Sequence, residues 1–94
     1  MLVHISVQFR KDLDKLKIEN PKFVSKTMEL IFSAIEAVEQ HNNPLHGLGR
    51  AESLRGNLSG CYSRQITEKH RLIYSYSENK DIIILLSCFG HYSD

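Results

Sequence analysis

The sequence predicts an α+β domain in which two helices pack on one face of an antiparallel or mixed twisted β-sheet, in the order β-α-α-β-β-β with room for one extra short strand. Three observations predict it. Apolar and polar residues alternate at the start of the chain, apolar residues recur at helical spacing from Phe9 to Val38, and from Leu45 onward short β-branched and aromatic runs are divided by glycines. The 94 residues suit a single domain, 1–94, built on one small core.

Val3, Ile5 and Val7 alternate with His4, Ser6 and Gln8, the period of a strand with one buried face. Phe9, Leu13, Leu16 and Ile18 then lie near i, i+4, i+7 spacing among Lys and Asp, an amphipathic helix that Asn20-Pro21 interrupts. Pro21 is suited to the first position of a second helix, whose stripe is Val24, Thr27, Met28, Ile31, Ala34, Ile35 and Val38. Glu29, Glu36 and Glu39 fall on its solvent side, and His41-Asn42-Asn43-Pro44 ends it. Glycines at 47, 49, 56 and 60 mark loops. Tyr62, Arg64 and Ile66 alternate with Cys61, Ser63, Gln65 and Thr67, and residues 71–76 and 82–88 are rich in strand formers, joined by a polar hairpin connection at 77–81.

Twelve Lys plus Arg against eleven Asp plus Glu give a net charge of +1, without the global excess of a nucleic-acid coat or a polybasic membrane binder. The charge is unevenly placed. Residues 1–43 hold six of each sign, whereas residues 46–71 hold Arg50, Arg55, Arg64, Lys69 and Arg71 against Glu52 and Glu68. A neutral scaffold with a small cationic face is expected. Two cysteines are too few for a disulfide-stapled secreted scaffold, no secretory leader opens the chain, and the apolar run at 82–86 is far short of the roughly 20 residues that span a bilayer. A cytoplasmic protein with no membrane partner is expected.

No GxxxxGK[ST] or GxGxxG motif is present, so no nucleotide cofactor is expected. Cys61, Cys88, His70 and His91 lack the paired spacing of metal ligands; no metal and no other cofactor is expected, and Cys88 reads as a small apolar residue ending the last strand. What remains is a polar cluster: Arg50, Glu52, Arg55, Arg64, His70, Arg71, His91 and Tyr92. Cleavage of RNA by its own 2′-hydroxyl requires a base for that proton, an acid for the departing 5′-oxygen, and fixed positive charge at the phosphorane. A carboxylate, an imidazole and arginines meet those needs, and a tyrosine can orient a phosphate or stack on a base. The same residues also suit a solvated sheet edge.

The stretch Gly47-Leu48-Gly49-Arg50-Ala51-Glu52-Ser53-Leu54, then Leu58-Ser59-Gly60-Cys61-Tyr62-Ser63-Arg64-Gln65-Ile66 with His70-Arg71-Leu72-Ile73-Tyr74, and the closing Gly90-His91-Tyr92, resemble the Txe/YoeB group of the RelE toxin superfamily. The resemblance covers about half the chain, in order, and implies a RelE-like fold. It further implies the toxin of a type II toxin–antitoxin system: a ribosome-dependent mRNA endonuclease acting in the ribosomal A site, neutralised by a YefM-like antitoxin, and in this group able to form a homodimer. Carried onto this chain, the resemblance makes Glu52 the general base, Arg71 the stabiliser of the scissile phosphate, His91 the general acid and Tyr92 the residue that holds the RNA. Arg50, Arg55, Arg64 and His70 become RNA or phosphate contacts. Four departures stand out: Ala51 for the proline before the glutamate, Tyr62 for a tryptophan, Gln65 for the second arginine of S-R-R-I, and Ser93-Asp94 beyond the usual His-Tyr end. Two other readings compete, a non-catalytic binding toxin of the same RelE/ParE fold and a degenerate corepressor that only binds antitoxin.

Overall fold

The computed structural model describes residues 1–90. Its elements are β1 (Leu2–Ile5), α1 (Val7–Glu19), α2 (Pro21–His41), β2 (Glu52–Ser53), a 3₁₀ turn (Gly56–Leu58), β3 (Cys61–Gln65), β4 (Arg71–Ser77) and β5 (Ile82–Ser87). The expected α+β order is found, and β2 is the extra short strand.

The alternation that suggests a first strand through Val7 is cut at Ser6. Its Oγ accepts the Phe9 amide at 3.1 Å, capping α1, and donates to the Leu86 carbonyl at 3.0 Å, so the chain turns into the helix one residue past Ile5. Val7 is consequently 70% exposed. Ile18 also lies outside the expected stripe, because nine residues of helix put it opposite Phe9, and it is 86% exposed. Asn20 serves both helices. Its N–H donates to Leu16 O, closing α1, while its Oδ1 accepts from Lys22 N and Pro21 occupies the first turn of α2. Asn42, in the left-handed region, ends α2.

The sheet runs in the order β1-β5-β4-β3-β2. β1 pairs with β5 in parallel and the other pairs are antiparallel, which makes the sheet mixed. The helical hairpin is the crossover that lets the first strand lie parallel beside the last. Phe9 and Leu16 from α1, and Leu30, Ile31, Ala34 and Val38 from α2, meet Leu72, Tyr74, Ile83 and Leu85 of the sheet in one core with Ile66 and Cys88. Leu72 and Tyr74 thus face the helices, and strand alternation turns Arg71 and Ile73 to the opposite face. No helix among the described residues is long and apolar enough to cross a membrane.

Candidate active site

Register assembles the candidate site. β2 pairs with β3 so that Glu52 is opposite Ser63, and β3 pairs with β4 so that Ser63 is opposite Ile73 and Gln65 opposite Arg71. Directly opposed residues share a face, so Glu52, Ser63, Gln65 and Arg71 lie on the face turned away from Leu72 and Tyr74. There Arg71 Nη1 approaches Glu52 Oε1 at 3.5 Å, with the carboxylate side chain 58% and the guanidinium side chain 28% exposed. A carboxylate and a fixed cation are thereby held side by side at the solvent boundary. Arg50 and Arg55, both exposed, flank this short strand and add positive charge around it.

Arg64 and His70 depart from expectation. Both are fully buried, and neither presents a free group to RNA. Arg64 spends all five of its N–H donors inside the protein. Nε donates to Tyr74 Oη at 2.9 Å, Nη1 to Ser33 Oγ at 3.1 Å and Leu48 O at 2.8 Å, and Nη2 to Pro44 O at 3.1 Å and His46 O at 2.6 Å. No carboxylate lies among these partners; the buried charge is solvated by carbonyls and hydroxyls. The Tyr74 hydroxyl in turn donates a hydrogen bond to Pro44 O at 2.7 Å, and burial pushes its ionisation upward. The loop at 44–49 is therefore wrapped around a guanidinium. Gly47 and Gly49 make the wrapping feasible: both have positive φ, +101° and +89°, and a Cβ at Gly49 would stand 2.6 Å from Leu30 Cδ2. The Gly49 carbonyl then accepts from Gln65 N at 2.6 Å, delivering the chain to Arg50 and the β2 strand.

His70 anchors the other end of the site. Its Nδ1 accepts the Gly90 amide at 2.8 Å, which places the ring proton on Nε2, and Nε2 donates to Glu19 Oε2 at 3.1 Å. The ring is packed beside Phe89 and Phe23, at centroid distances of 4.4 and 5.8 Å. The His70 hydrogen bond, opposed by desolvation and aided by Lys69 at 3.4 Å, holds the Glu19 carboxyl below its ordinary range. The Gly90 carbonyl in turn accepts from Arg71 N at 2.9 Å. The chain is thus secured from both sides at the residue before His91. His91 and Tyr92, expected as acid and RNA holder, lie outside the described residues, as does the Ser93-Asp94 tail.

Other groups escaped the sequence reading. Asp12 is buried to 3% exposure, with Oδ1 accepting from Gln8 Nε2 at 2.7 Å and Oδ2 from Cys88 N at 3.0 Å. Its spacing from Phe9, Leu13 and Leu16 was the available signal, since it shares their stripe. Glu19 and Ser33 gave none, because their partners are remote in sequence. Cys88 is packed against α1, and its thiol is pushed up to about 12 by burial and then by Asp12. Among the described residues no group of three or more His, Cys, Asp or Glu is placed to hold a metal ion.

A helical hairpin on a mixed five-stranded sheet is shared with small bacterial toxins of known structure. The YoeB/ParE toxin from Agrobacterium tumefaciens superposes with a TM-score of 0.81 at 28% identity, covering 98% of this chain and 100% of that one. The YoeB–YefM complex from Staphylococcus aureus contains a chain matching with a TM-score of 0.73 at 35% identity, covering 98% and 99%. In sequence, Toxin YoeB of Synechocystis sp. is 38% identical over 74 residues, 79% of this chain and 78% of the relative. Residues 6–92 match the family of YoeB-like toxins of bacterial type II toxin–antitoxin systems. The chain belongs to that family.

Proposed function

We propose that this toxin is a metal-independent endoribonuclease that cleaves mRNA presented in the ribosomal A site. The observation that carries the reading is the placing of Arg71 Nη1 3.5 Å from Glu52 Oε1 on one sheet face. Glu52 takes the proton of the 2′-hydroxyl, and the 2′-oxygen attacks the adjacent phosphorus. Arg71 stabilises the negative charge gained by the phosphorane, His91 gives a proton to the departing 5′-oxygen, and Tyr92 holds the substrate. The products are a 2′,3′-cyclic phosphate and a 5′-hydroxyl. Arg50 and Arg55 supply further phosphate contacts, and Arg50 replaces the family lysine with a group capable of bidentate contact. The buried Arg64 and His70 act here as supports of the flanking loop and terminus.

The partner is a YefM-like antitoxin, as supported by the Staphylococcus aureus YoeB–YefM complex. An acidic segment that folds on binding suits a surface on which Arg50, Arg55 and Arg71 cluster. A homodimer is supported by the YoeB dimer of the same species, 33% identical and covering 98% of each chain with a TM-score of 0.76.

The test is cleavage of an mRNA on programmed ribosomes by the purified protein. Cuts ending in 2′,3′-cyclic phosphate, abolished by a 2′-deoxy substitution at the cut site, support the reading. An intact mRNA beside growth arrest that survives the double change Glu52→Ala and His91→Ala would instead establish a target-binding toxin.

A further inference from the structure

Among the described residues, one buried side-chain polar atom has no hydrogen-bond partner: Ser63 Oγ. Ser63 is 1% exposed, and its strand neighbours do nothing to explain a hydroxyl there. Buried polar groups are paired as a rule, and an alanine would fill the same space without desolvating a hydroxyl. A group kept at such a disadvantage calls for a partner that is present in another state of the protein.

Register names that partner. Ser63 stands directly between Glu52 on β2 and Ile73 on β4, with Cys61 and Gln65 the neighbours along its own strand on the same face. Of these, the Glu52 carboxylate is the one charged acceptor. Opposed residues on neighbouring strands have Cβ atoms roughly 5 Å apart, well within the reach of a glutamate side chain. In the structure the carboxylate is instead turned to Arg71. A substrate phosphate competes for that guanidinium, and a carboxylate so released needs a new donor to keep its direction.

We propose that Ser63 is a positioning residue for Glu52, its hydroxyl donating to the carboxylate when Arg71 turns to the scissile phosphate. The inference rests on the reading of Glu52 as base, and two experiments separate them. On programmed ribosomes, Ser63→Ala lowers the single-turnover cleavage rate about tenfold while the half-saturating ribosome concentration stays within twofold. Thermal stability is unchanged or raised, since no hydrogen bond of the free protein is lost. A purely structural serine gives the reverse, a lower melting temperature with an unchanged rate, and overturns the proposal.

The second experiment needs no activity. In Arg71→Ala protein, where the guanidinium no longer competes, the ¹³C resonance of the Glu52 carboxyl at neutral pH shifts when Ser63→Ala is added. With Arg71 intact the same serine change leaves that resonance in place. If the resonance is indifferent to Ser63 in the Arg71→Ala background, the positioning role is refuted even if the enzyme cleaves RNA. If wild-type protein leaves mRNA intact, the nuclease reading falls, and the resonance alone decides whether the hydroxyl serves the carboxylate.

Discussion

His70 and Gly90 are joined by a 2.8 Å hydrogen bond in which the backbone amide donates to the ring Nδ1. An amide can only donate, so this bond fixes the tautomer, points Nε2–H at Glu19, and ties the end of the sheet to the end of α1. The histidine that a sequence motif offers as an RNA contact is a cross-brace beneath the residue that precedes His91.

Glu19 should give this brace a pH signature. Its carboxyl titrates below the ordinary 4.5, so the sign follows: its contribution to stability is complete above 4.5 and is lost as pH falls through the lowered folded value. The urea midpoint of wild type should exceed that of Glu19→Gln at neutral pH, and the gap should narrow steadily below pH 4.5. A gap that stays constant down to pH 3 would contradict the assignment.

Arg64→Lys should be among the most damaging single changes in the molecule. Lysine keeps the charge but has three donors in place of a planar five, and cannot reach Tyr74, Ser33, Leu48, Pro44 and His46 together. A loss of about 3–5 kcal/mol in urea denaturation is expected, the scale for disrupting a buried charged network. Limited proteolysis should show new cuts within residues 44–49.

Glu52→Gln and Arg71→Ala should behave in the opposite way. The pair sits at the solvent boundary, where an ion pair contributes about 0–1 kcal/mol, so melting temperatures should move by little. Cleavage on ribosomes should fall by about 10²–10⁴-fold for either change, the range for loss of a general base or a preorganised charge. A large stability loss with retained cleavage would remove both residues from the chemistry.

Cys88 should report opening of the α1–β5 contact. With its thiol pushed up to about 12 and fully buried, it should resist alkylation at pH 8 in the native state. Half-buried Cys61, raised more modestly by desolvation, should react first. Mass spectrometry after a timed pulse of iodoacetamide distinguishes the two. Asp12→Ala, which removes the acceptor of the Cys88 amide, should speed labelling at Cys88 selectively.

Much of this architecture was legible because local patterns and tertiary packing agree. Pro21 after Asn20, the stripe of α2 and the polar turn at 77–81 each signal their element directly. Strand direction was less accessible, since a parallel β1–β5 pair depends on where the helical hairpin lands. The motif singles out Glu52 and Arg71 as candidates, and the strand register is what brings their side chains together. Arg64 shows the limit of reading charge as exposure. It shares the parity of Tyr62 on β3 and of Ile66 just beyond it, both packed on the helix side, and that parity was a better guide to its position than its charge. Ser63 was silent in sequence because its interest lies in what it fails to bond.

The carbonyl cage around Arg64 also ties a local loop to remote parts of the chain. Its donors reach partners in α2, in the following loop and on β4, up to 31 residues away in sequence. None of those carbonyls has a reason to converge until helix, loop and both strands have docked, and the loop at 44–49 leads straight into Glu52. The course of the chain entering Glu52 therefore depends on a guanidinium that helix, loop and strand hold in common, so that damage far from this edge is felt at it.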